Sequence, residues 1–243
     1  MRDFDRIRSF ILSYGHEEAD MLGELYRNAV ANDIPVIRPD MKELLRLLLL
    51  IKRPKRILEV GTAWGFSALF MSECVPEAKV ITIELDPVRA EEARQRIRQM
   101  GKEPAAMKEG ESIETGAPKE QAGIRVLEGD AAVVLKELSN GPADFDFVFI
   151  DAAKAQYGEY FELIRPMLAP GAVVVSDNVL QDGSILESHF LVEKRDRTIH
   201  DRMREYLRFL TETPGLVTSI LPVGDGAAVT YVKGETDPSD CIS

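Results

Sequence analysis

The sequence predicts an α/β fold with a mostly parallel central sheet, flanking helices and a C-terminal antiparallel hairpin. Three observations carry that expectation. Short, continuously apolar runs recur from Arg56 onward, as expected of strands covered on both faces. Each run ends in small or acidic residues and leads into a helical pattern, the rhythm of parallel strands joined by crossover helices. The last two apolar runs instead flank Gly224-Asp225-Gly226, a hairpin signal.

Taken in order, residues 3–13 and 17–31 carry apolar positions at helical spacing, and Asn32 to Pro35 breaks that pattern. Asp40 is placed to cap a third helix through Ile51, with Glu43 as the reciprocal half of a capping box. The expected strands are Ile57–Val60, Val80–Ile83, Ile124–Leu127, Phe147–Ile150 and Ala172–Ser176. Asp86-Pro87 starts a helix to Met100, Asp130 caps one through Leu138, and another covers about 156–168. Residues 101–123 mix Glu, Lys, Gly, Ala and Pro with little to anchor a core, and read as a flexible insertion. A basic stretch, Lys194 to Arg208, precedes the hairpin strands 216–223 and 227–232. The expected organisation is one domain over 1–233, with N-terminal helices in 1–52 and a polar tail at 234–243.

Composition narrows the class. Hydrophobic residues at 45% and charged residues at 29% are globular averages. The longest apolar run, Leu47 to Ile51, is far short of the roughly 20 residues of a membrane span. No secretory leader is readable, and Cys74 and Cys241 alone build neither a disulfide framework nor a thiolate zinc site, so a cytoplasmic protein without membrane partners is expected. A net charge of −11 argues against indiscriminate nucleic-acid binding but leaves room for a local basic face.

The chemistry gathers at strand ends. In Glu59-Val60-Gly61-Thr62-Ala63-Trp64-Gly65-Phe66-Ser67, glycines let the main chain approach a ligand, but the spacing is not the dinucleotide pattern. Glu84, 23 residues beyond Gly61, is placed either to accept two ribose hydroxyls or to sit as a solvated strand end. Glu59 would hold the loop or a ligand amino group, since a bare carboxylate in a dry core is costly. Asp130, after Gly129, reads either as an adenine contact or as an N-cap. Asp151 ends one strand and Asp177-Asn178 the next, so two carboxylates and an amide converge as ligands for a hard cation. Lys154, one helical turn beyond Asp151, is either a general base or a surface or orienting lysine. Trp64 and Tyr157 are available to stack on a base.

The segments LEVGTAWGFSA, ITIELD, LEGDA, FDFVFIDAAK, VVVSDNVL and LPVGDGAAV together resemble the cation-dependent O-methyltransferases of the catechol and caffeoyl-CoA type over roughly residues 35–233. That resemblance implies a Rossmann-like methyltransferase fold using S-adenosylmethionine and Mg²⁺. It places Ile37, Glu59, Gly61, Thr62, Ala63, Ser67, Glu84, Leu85, Gly129, Asp130, Ala131 and Asp151 around the cofactor. It makes Asp151, Asp177 and Asn178 the metal ligands, and Lys154 with Asp151 the catalytic pair. It also implies a homodimer. A narrower resemblance, to tRNA 5-hydroxyuridine methyltransferases, rests on IPVI, IDAAKAQY and DNVLQDG followed by the basic run. It implies the anticodon region of tRNA as partner and 5-methoxyuridine as product, with a small-molecule catechol or similar vicinal diol as the alternative acceptor.

Overall fold

The structure is a computed structural model that describes residues 2–15, 21–32, 34–104, 122–187, 193 and 197–234. Most of the expected insertion, 105–121, the tail from 235 and Lys194–Asp196 of the basic run lie outside the described residues.

Seven strands form one sheet: β1 (Arg56–Val60), β2 (Lys79–Glu84), β3 (Gly123–Glu128), β4 (Phe145–Ile150), β5 (Leu168–Ser176), β6 (Leu216–Leu221) and β7 (Ala227–Val232). Their order is β3-β2-β1-β4-β5-β7-β6. The first five run parallel and the hairpin β6–β7 returns antiparallel onto β5. Register decides the function: Val60 sits beside Ile83 and Ile150, and Ile150 beside Ser176. The residues just past β1, β2, β4 and β5 therefore emerge on one sheet edge, where α/β proteins bind ligands.

Side chains alternate along each strand and feed two cores. Ile57, Phe147, Phe149 and Val175 pack with Met41, Leu45, Leu49, Phe66 and Phe70, from α3 (Pro39–Lys52) and α4 (Phe66–Cys74). Leu58, Val60, Val148, Ile150 and Val174 face the other way, against α6 (Ala131–Leu138), α7 (Tyr157–Ile164) and α8 (Arg197–Glu212). α8 buries His200, Met203, Tyr206 and Leu210, the three-to-four spacing of one helix face. α1 (Arg2–Leu12) and α2 (Met21–Ala31) precede α3, and α5 (Pro87–Gln99) joins β2 towards β3.

Two expectations need correction. α3 starts at Pro39 with Arg38 as its N-cap residue, and Asp40 does not close a capping box. Its carboxylate instead receives a two-pronged hydrogen bond from Arg8 of α1, at 2.9 and 3.1 Å, and Pro39 supplies the preset backbone that starts the helix. The helix expected over 156–168 is divided: a 3₁₀ turn at Lys154–Gln156, then α7, then a second 3₁₀ turn at Arg165–Met167 that carries Pro166 into β5.

Candidate active site

The turn after β1 is pressed against the exit of β4. Gly61 has φ of +104°, and a Cβ there would stand 2.0 Å from the carbonyl oxygen of Asp151, so only glycine lets these two strand ends meet. Thr62 is buried and donates to Thr82, whose own hydroxyl donates to Glu59. Ala63 occupies the left-handed region at φ 46°. Its amide donates to Glu84 Oε2 at 2.8 Å, while the Asp86 amide donates to Glu84 Oε1 at 3.0 Å. Glu84 is thus no solvated strand end; it is buried and holds the turn in place. Each of its oxygens keeps one lone-pair direction for a further donor such as a ribose hydroxyl.

Glu59 is fully buried, and burial pushes its carboxyl up to about 8, helped by the nearby Asp151 and Glu84. Ser67 and Thr82 oppose that shift, yet Glu59 Oε1 completes no hydrogen bond. An orphaned acceptor beneath a glycine turn is suited to an incoming ammonium group.

On the β2–β3 side, Gly129 donates to the Glu84 carbonyl at 2.9 Å. Asp130 is the N-cap of α6, accepting from Ala132 and Val133, which is the plainer of its two expected roles. Leu85, Val88 and Val133 remain exposed there and Ala131 is half-buried, giving the strand exits an apolar rim. Ile37 is buried at the entrance to α3, with its carbonyl accepting from Tyr26.

At the exits of β4 and β5 the acidic residues come together. The Asp151 amide donates to Val60 O and the Asp177 amide to Ile150 O, both at 2.9 Å, which locks the three strand ends in step. Asn178, in the left-handed region at φ 59°, donates its side-chain amide to Asp151 Oδ1 at 2.9 Å. Burial, and then the Asp151 charge, push the Asp177 carboxyl up to about 7. Burial also raises Asp151, against the opposing effects of Asn178 and Lys154. Among the described residues no three His, Cys, Asp or Glu side chains cluster as a metal site.

Lys154 reaches this edge from the 3₁₀ turn, with Nζ 3.5 Å from Asp225 Oδ2. Asp225 is a residue the sequence reading passed over as part of a hairpin turn. The turn is docked on the loop after β5: Val179 donates to Gly226 O and Leu180 to Asp225 O, and a Cβ on Gly226 would strike Leu180 Cγ at 2.2 Å. Arg38 was also missed; its charge opposes the upward shift of Asp177. Of the two expected stacking aromatics, Tyr157 is not free to stack, being buried with its hydroxyl donating to Asp177 O at 3.0 Å, while the Trp64 ring has the Arg96 guanidinium 4.0 Å from its centre.

A glycine turn, a clamped acid after β2 and paired acids after β4 and β5 coincide with a family match over residues 12–233, to the O-methyltransferases. The chain belongs to that family. It is 32% identical to a catechol O-methyltransferase of Mycobacterium tuberculosis over 185 residues, covering 74% of this chain and 72% of the relative. It is 31% identical to a catechol O-methyltransferase of Niastella koreensis over 155 residues, covering 63% of this chain but only 62% of that relative's length. Among solved structures it resembles cofactor-bound Rv0187 from MTB, at 27% identity with a TM-score of 0.72 over 94% of this chain and 97% of that one. It also resembles the O-methyltransferase TomG of Streptomyces achromogenes in complex with SAM, at 25% identity and a TM-score of 0.73, over 94% and 96% of the two chains. S-adenosylmethionine is therefore this methyltransferase's cofactor, and the enzyme is Rossmann-like with an antiparallel C-terminal hairpin.

Two expected results test the cofactor side. Glu84→Ala removes the acceptor of two backbone amides and any ribose contact, so S-adenosylhomocysteine affinity measured by calorimetry should fall by at least about 30-fold, a loss of about 2 kcal/mol. Wild-type affinity would leave Glu84 no part in the cofactor site. Glu59 sets a pH dependence. Its folded value of about 8 lies above the ordinary 4.5, so its contribution to the stability of the cofactor-free protein is complete below pH 4.5 and is lost as pH rises to 8. Thermal melts of Glu59→Gln should show a flatter decline across that window than wild type, and an unchanged slope would contradict the assignment.

Proposed function

We propose that the chain transfers the methyl group of S-adenosylmethionine to one hydroxyl of a catechol-type small molecule, with Mg²⁺ held by Asp151, Asp177 and Asn178. One observation carries this reading: two desolvated carboxylates and an amide meet one strand away from the glycine turn. Buried like charges repel, and a cation relieves that cost. A half-turn of the Asn178 amide would exchange its donor for a carbonyl oxygen, completing a donor set of three hard oxygens. The orphaned Glu59 Oε1 fits the cofactor's amino group in the same way. When bound, S-adenosylmethionine supplies an electrophilic methyl group and Mg²⁺ a Lewis acid that favours an acceptor oxyanion.

The chain's own residues divide the remaining work. Glu84 and the Ala63 amide fix the turn, Asp151 and Asp177 orient the acceptor's paired oxygens, and Lys154, in its neutral amine form after giving its own proton to solvent, takes the hydroxyl proton from its station beside Asp225.

Support for a small acceptor over tRNA comes from the names of the relatives and from the basic residues. On α5, Arg94, Arg96 and Arg98 are engaged by Glu91, Glu92, Glu103 and Glu128. On α8, Arg202 and Arg204 hold the carbonyls of Ala155, Ile185 and Glu187. The homodimer belongs to the same proposal, supported by Leu47, Leu50 and Ile51 on α3, each more than half exposed. The test of the acceptor supplies catechol, phenol and tRNA bearing 5-hydroxyuridine under matched conditions, with products identified by mass spectrometry. Catechol should yield its monomethyl ether, while phenol, with one oxygen, should lag far behind. Methylation of the tRNA alone would overturn the small-molecule reading.

A further inference from the structure

Behind the paired acids lies a buried phenol that the catalytic reading does not use. Tyr157 is the first residue of α7 and only 1% exposed. Its hydroxyl donates to the backbone carbonyl of Asp177 at 3.0 Å. Tyr157 belongs to the segment that leaves β4, so this bond ties that segment to the exit of β5. A second buried phenol, Tyr206 of α8, packs edge-on against the first with ring centres 5.8 Å apart. Its hydroxyl is 2.7 Å from Ser176 Oγ and so touches only the β5 side.

Ladder hydrogen bonds between the two strands stop at the Ile150–Ser176 pairing and the Asp177 amide. Beyond that point two like-charged side chains push the chains apart, and the Tyr157 hydroxyl is placed to resist the separation. Ring packing makes it a stiff spacer: Tyr157 sits against Tyr206, and Tyr206 against Phe161. An outer group of this kind fixes ligand spacing and commonly changes metal affinity by roughly 10–100-fold when removed.

We propose that Tyr157 is a positioning residue that sets the separation of Asp151 and Asp177 and thereby the affinity of the pair for a divalent cation. The proposal rests on the metal reading above and concerns no proton transfer. It assigns Tyr206 no such role, because that residue comes from α8 rather than from the segment leaving β4, and its hydroxyl meets Ser176 on β5.

The test titrates Mn²⁺, as a spectroscopic stand-in for Mg²⁺, into the full chain saturated with S-adenosylhomocysteine, read by electron paramagnetic resonance of the free ion. Wild type should bind one Mn²⁺, Tyr157→Phe should bind it at least about tenfold more weakly, and Tyr206→Phe should stay within about threefold. S-adenosylhomocysteine affinity should be unchanged in both variants, which a general loosening of the fold would not allow. Restoring a donor at the same place with 4-aminophenylalanine at position 157 should recover most of the affinity. If Tyr157→Phe does not fold, 4-fluorophenylalanine at 157 fills the hydroxyl's place without a proton to donate and carries the same expectation. Wild-type binding with equal affinity in the position-157 variants overturns the role of Tyr157 alone. A wild type that binds no Mn²⁺ overturns the metal reading and this role with it.

Discussion

Asp177→Asn should lower methyl transfer to catechol by at least about a thousandfold, with the fold and S-adenosylhomocysteine binding preserved. The figure follows from the several kcal/mol of charge stabilisation that a Lewis acid gives a developing oxyanion, where about 4 kcal/mol is a thousandfold in rate. The variant is nearly isosteric, and an amide carries none of the charge that makes the buried Asp177 carboxylate costly, so the fold should tolerate it. Its neighbour is a less clean target: Asp151 lies against Gly61 and accepts from Asn178, so changing it disturbs the cofactor turn as well. Single-turnover kinetics, with circular dichroism as the control for folding, read the effect. A loss smaller than about tenfold would remove Asp177 from the reacting centre.

Lys154→Met should cost about 10²–10⁴ in the single-turnover rate at saturating cofactor and catechol, the span typical of a positioned proton acceptor. Methionine keeps much of the side-chain length and removes the proton-handling group. It also leaves Asp225, a buried carboxylate, without its 3.5 Å partner, so the melting temperature must be followed beside the rate. A loss confined to KM would make Lys154 an orienting contact. An unchanged rate and KM would make its pairing with Asp225 purely structural.

The sheet was legible because strands buried on both faces, β1, β2 and β4 above all, leave unbroken apolar runs, and parallel pairing then puts the C-terminal ends of the first five strands on one edge. That is why Gly61, Glu84, Asp151, Asp177 and Asn178 could be brought together from sequence. What escaped depended on contacts distant along the chain. Asp40 looks like a helix cap locally, but its partner is Arg8, 32 residues away. Lys154 looks like a lone base, but hairpin docking delivers Asp225 to it from 71 residues further on. Tyr157 reads as an aromatic available to stack on a base, but its burial and its hydrogen bond to Asp177 O, 20 residues away, are set by the fold. Glu84 carried a different ambiguity: only the folded turn shows that its carboxylate is buried and already accepts two amides.

In the function proposed above, the exits of β4 and β5 form a divalent-cation site that prepares the acceptor for a methyl group delivered over the glycine turn. It is tested most directly by following transfer from methyl-labelled S-adenosylmethionine to catechol in metal-free buffer, then after addition of Mg²⁺. Transfer should be absent in the first condition and appear in the second, with S-adenosylhomocysteine binding measured in both to show that the protein is competent throughout. Full turnover sustained without any divalent cation would contradict the account.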